Sequence, residues 1–97
     1  MAILNKTREN NEELDMMLLY AIKDNLNGFI PPVAAPNELS AKRWFAHELK
    51  HNTFYADNKG DYDLYYLGKY NIKTGMIFPA GSEMTIAARG TDYGNEN

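Results

Sequence analysis

Ninety-seven residues, 44% hydrophobic and 24% charged with no cysteine, suffice for one small domain and exclude a disulfide framework and thiolate zinc sites. No apolar run approaches the ~20 residues that cross a bilayer, and the Asn- and Glu-rich start lacks the basic-then-apolar order of a signal peptide; no membrane partner is expected, and the cytoplasm is the expected compartment. The net charge of −3 argues on its face against a nucleic-acid partner. Its distribution matters more: Lys6 and Arg8 face Glu9, Glu12, Glu13 and Asp15, Asp92 and Glu96 follow residue 90, and the eight Lys/Arg and seven Asp/Glu between residues 16 and 90 nearly balance.

Residues 1–15 carry few large apolar side chains and bury too little to offset their ordering entropy, so a mobile polar arm is expected there. The single domain then spans 16–90. Leu18 to Lys23 is a compact apolar run ended by the turn formers Asp24 to Gly28, which predicts a strand and a turn. Phe29 and Ile30 resume an extended path, and Pro31, Pro32 and Pro36 confine this stretch of chain to a sheet edge or a crossing loop, because proline cannot donate to a ladder.

Pro36 stops that segment, Asn37 is a good N-cap, and Glu38 places a negative charge in the first turn, so a helix is predicted through His51. At roughly 100° per residue Ala41, Phe45 and Leu49 fall on one line, flanked by Trp44 and Ala46, and form the core face. Ser40, Arg43, His47, Lys50 and His51 fall opposite, with Arg43, His47 and Lys50 in a single row.

Residues 52–60 read as a loop whose Phe54 and Tyr55 fold back on the core. The run from Tyr62 to Tyr70 favours a strand; alternation puts Tyr62, Leu64 and Tyr66 on one face and Asp63, Tyr65, Leu67 and Lys69 on the other. Gly68 in mid-strand signals a bulge or the close approach of another backbone. Asn71 to Gly75 is a hairpin turn, Met76 to Phe78 a returning strand, Met84 to Ala88 a further short strand, and 91–97 a polar tail. The order is strand, extended segment, helix, strand, strand: an α+β fold with one main helix on one face of a small antiparallel-rich sheet. A domain this small is also expected to form a homodimer.

Two chemistries compete for the helix. His47-Glu48-Leu49-Lys50-His51 spells the H-E-x-x-H pattern of zinc metallopeptidases. However, His51 falls in the last turn, both histidines face away from the core, and the third ligands on offer, Asp57, Asp61, Asp63 and Glu83, are chosen by position alone. Solvated histidines, no metal, no cofactor and no enzymatic activity are the expectation. The other reading takes Lys42, Arg43 and Lys50, with His47 when protonated, as phosphate contacts that give affinity without sequence preference. The plain alternative is that a charged outer face is the default of any amphipathic helix. Tyr65, Tyr70, Phe29 and Tyr55 are the aromatics available for base stacking, with Lys23 and Lys69 as neighbouring charges, against the plain reading of a Tyr-rich strand as core or dimer interface. Asp61 and Asp63 are expected to cap the turn before the strand.

Leu19-Tyr20-Ala21-Ile22-Lys23-Asp24, Gly28-Phe29, Pro32 with Ala34-Ala35-Pro36-Asn37, Ala41-Lys42-Arg43-Trp44-Phe45, and Asp61 to Tyr70 followed by Thr74-Gly75 resemble, in the same order, the small nonstructural protein of gokushovirus-type microviruses. These are tailless bacteriophages with circular single-stranded DNA. The resemblance covers about residues 17–78. It implies an early protein described as DNA-binding, acting in the host cytoplasm to turn replication from duplex copying to single-strand production. It brings no set of functional residues with it. The extension before Met16 or Met17, where similar proteins tend to begin, is a departure from the pattern. The expected function is thus weak, sequence-tolerant binding of the phage single strand through Lys42, Arg43, His47, Lys50, Lys23, Lys69, Tyr65, Tyr70 and Phe29. The alternative partner is a host replication protein.

Overall fold

The computed structural model describes residues 15–93; the expected arm, Asp15 excepted, and residues 94–97 of the expected tail lie outside the described residues. Two long strands carry the architecture. β1 (Met16–Asp24) and β4 (Tyr62–Asn71) pair antiparallel along their whole length. Each is flanked by an edge made of two short pieces. β2 (Gly28–Phe29) and β3 (Val33–Ala35) pair with β1, while β5 (Ile77–Pro79) and β6 (Thr85–Arg89) pair with β4. Every pairing is antiparallel. Prolines 31, 32 and 36 fall between or beside the pieces of one edge, where a missing donor costs no ladder bond.

Helix α1 (Glu38–His51) begins as its sequence requires. The Asn37 side chain accepts a hydrogen bond from the Ser40 N–H at 2.8 Å, and Glu38 lies in the first turn. Its line of Ala41, Phe45 and Leu49 is at most 1% exposed and packs on Tyr20, Ile22, Tyr62 and Leu64 of the central strands, with Trp44 half-buried beside them. The α+β expectation holds: one main helix covers one face of a six-stranded antiparallel sheet.

Three local expectations are corrected. The stretch after α1 is not simply a loop. Asn52 closes α1 by donating its N–H to the Glu48 carbonyl, and its side chain accepts from the Phe54 N–H to open a one-turn helix, α2 (Thr53–Ala56). Tyr55 does fold back, its ring 4.7 Å from that of Tyr62, whereas Phe54 stays largely exposed. Second, the chain stays packed past residue 90: Gly90–Tyr93 form a 3-10 turn that lays the Tyr93 ring edge-on against Phe45, with centroids 5.6 Å apart.

The third correction concerns faces. Tyr20 pairs with Tyr66 but Leu19 with Gly68, so Leu67 is an extra residue bulged out of β4. Beyond it the alternation is reset. Lys69 pairs with Leu18, which packs on the core side, whereas Tyr70 pairs with Met17 on the outer side that also holds Leu19, Ala21 and Tyr65. Lys69 therefore does not share a face with Tyr65. Gly68 fulfils both of its expected roles. It adjoins the bulge, and at φ 150° any Cβ on it would overlap the Phe78 carbonyl of β5.

Candidate functional site

A groove of about 770 Å³ runs along the outward side of α1. Helical spacing places Arg43, His47 and Lys50 in one exposed row, as expected, and His51 follows His47 by one turn with ring centroids 4.4 Å apart. Across from the helix stand Lys59, from a 3-10 turn at Lys59–Asp61, and Tyr93. Leu49, Ala46 and Ala56 contribute the apolar part of the lining, and no carboxylate side chain lines the groove.

Lys59 and Tyr93 were not legible in the sequence as site residues, because they arrive through tertiary packing. The Lys59 ammonium donates to the Tyr93 carbonyl at 3.4 Å. Their two turns approach closely at Gly90, where a Cβ would overlap the backbone carbonyls of Lys59 and Tyr62. The Gly90 N–H donates to the buried Asp63 carboxylate at 3.3 Å. That carboxylate also accepts from the Asn25 side chain at 3.0 Å and lies 3.8 Å from the Arg89 guanidinium. Asp63 thus ties the turn after β1 to the end of β6, which is a structural use of the residue. Asp61 contributes its backbone carbonyl, bonded by the Asn25 N–H at 2.9 Å.

The remaining candidates separate into other places. Lys42 is held by Glu38 one turn earlier at 3.0 Å and does not line the groove. Lys23, Phe29 and Tyr65 do converge, but on the outer face of the sheet. Phe29 and Tyr65 meet edge to face with centroids 5.3 Å apart, and the Lys23 ammonium stands 5.7 Å from both. Tyr70 lies on that outer face farther along β4, and Lys69 is exposed on the helix side. The nine expected residues therefore make two surfaces, with Lys42 and Lys69 outside both.

The H-E-x-x-H spelling acquires no third ligand. Among the described residues no group of three or more His, Cys, Asp or Glu side chains is placed to hold a metal ion. Asp24, near the Lys23 cluster, is also committed locally. The Asn27 side-chain amide at 3.0 Å and the Leu26 N–H at 2.9 Å hold its carboxyl below the usual carboxylate range. Among the described residues no helix is long and apolar enough to cross a membrane.

Fold and groove define a small α+β domain with a cation-lined cleft and no metal cluster among the described residues. The chain belongs to the Phage ORF5 protein family, a bacteriophage family that matches residues 17–93. The match starts where the sequence resemblance does and runs on through Tyr93 at the groove. No curated protein and no solved structure matches the chain.

Proposed function

We propose that this phage protein binds single-stranded DNA with little sequence preference in the host cytoplasm. There it would serve genome replication or the switch to single-strand synthesis, as the resemblance to the gokushovirus-type nonstructural proteins implies. The carrying observation is the groove lining: Arg43, His47, Lys50, His51 and Lys59 face one cleft without a carboxylate, in a chain with thirteen acidic and ten basic residues. Such a cleft attracts a phosphodiester chain by charge and counterion release, and neither effect depends on the base. Tyr93 adds a ring at the groove on which a base can stack.

Titration of a fluorescent single-stranded oligonucleotide at two salt concentrations tests this. The expected result is salt-sensitive binding that weakens at least tenfold in the Arg43→Glu/Lys50→Glu double variant. Loss of two phosphate contacts also lowers the slope of log affinity against log salt by about 1.4. No binding in low salt at tens of micromolar protein would overturn the proposal. A second reading, a module that docks on the host replication machinery, is favoured by the exposed apolar side chains Ile72, Met76, Ile77 and Phe78 around the β4–β5 hairpin. It becomes the better one if the DNA titration fails.

A further inference from the structure

We infer that the domain has a second strand-binding surface, on the face of the sheet opposite the groove, and that one molecule bridges two segments of single-stranded DNA. The inference rests on the proposed function for the groove alone. In β1, Lys23 lies between Ile22, which packs under α1, and Asp24, so alternation turns Lys23 away from the helix. Tyr65 lies likewise between the core residues Leu64 and Tyr66, and Phe29 is the register partner of Lys23. A helix about 10–12 Å in diameter on a sheet puts this cluster on the order of 20 Å from the groove, with the hydrophobic core between them. A strand seated in the groove can reach the cluster only by turning around the sheet edge. A second segment reaches it directly.

The chemistry of the cluster fits an unpaired strand. Phe29 is 48% exposed and set edge to face on Tyr65, which leaves ring surface for a base, and the ammonium beside both rings meets the phosphate. The competing occupant is a second copy of the chain, because Leu19, Ala21 and Leu67 extend the outer face as an apolar surface. Charge disfavours it. Lys23 makes no ion pair among the described residues, and its neighbour Asp63 already serves Asn25, Gly90 and Arg89. Pairing the patch with itself would desolvate Lys23 without a carboxylate to receive it. A phosphate supplies the missing anion.

The test mixes the full chain with two oligothymidylates of about 8 nucleotides, within the about 4–16 that one small fold contacts. One carries a donor fluorophore and the other an acceptor, and light scattering records the protein mass. The expected result is energy transfer with two oligonucleotides per protein at monomer mass. Lys23→Gln/Phe29→Ala, and separately Arg43→Glu/Lys50→Glu, each reduce the count to one and abolish transfer. Lys23→Glu, which keeps both rings, does the same and guards against a packing defect, with circular dichroism confirming the fold. One oligonucleotide per wild-type protein without transfer overturns bridging but leaves DNA binding intact. Transfer that survives in both sheet-face variants, or that occurs only at dimer mass, also overturns it. Absence of any binding instead removes the proposed function itself.

Discussion

Single residues settle more here than their type suggests. Lys42 and Arg43 are neighbours of equal charge, but Lys42 is engaged by Glu38 whereas Arg43 opens onto the groove. Helical spacing made Arg43 legible; the i, i+4 ion pair that withdraws Lys42 was equally readable from Glu38. At Gly68 the positive φ and the Phe78 carbonyl leave no room for a methyl group. Gly68→Ala is expected to destabilise the domain by about 1–3 kcal/mol, measured by urea denaturation. Asp24 sets an acid limit. Hydrogen bonds from Asn27 and Leu26 lower its folded pKa, so the native state binds fewer protons than the unfolded chain across the window below the usual carboxylate value. The stability this confers is present above that window and is lost as pH falls through it. Thermal melts of Asp24→Asn are therefore expected to depend less on pH than wild type below about pH 4.

Among the elements, α1 was the most legible, because stop, cap, first-turn charge and apolar line all point the same way. Its start depends on one side chain. Asn37→Ala frees the Ser40 N–H and is expected to cost about 1 kcal/mol, seen as a lower melting temperature without loss of DNA binding. The central strands were legible from their apolar and aromatic runs. The split edges were harder, since three-residue pieces such as β3 and β5 owe their pairing to the long strands beside them rather than to any local pattern. The turn that opens α2 was hidden for a different reason. Asn52 reads as a loop residue, yet it ends one helix with its backbone and begins the next with its side chain.

At the scale of the whole molecule, the candidate residues were largely read correctly as exposed, and it is their grouping that only the fold supplies. Helix periodicity assembled Arg43, His47 and Lys50; nothing in the order of residues brought Lys59 and Tyr93 across to them. Periodicity in β4 failed at a single point, the bulge at Leu67, and from there every assignment to a face was reversed. That bulge acts as a parity switch. Up to Tyr66 the odd-numbered residues of β4 look outward, and from Gly68 the even-numbered ones do, which is how Tyr65 and Tyr70 come to share a face five positions apart. The strand consequently cannot be edited by one residue at neutral cost: removing Leu67 would keep the composition of the hairpin almost intact while exchanging its inside for its outside.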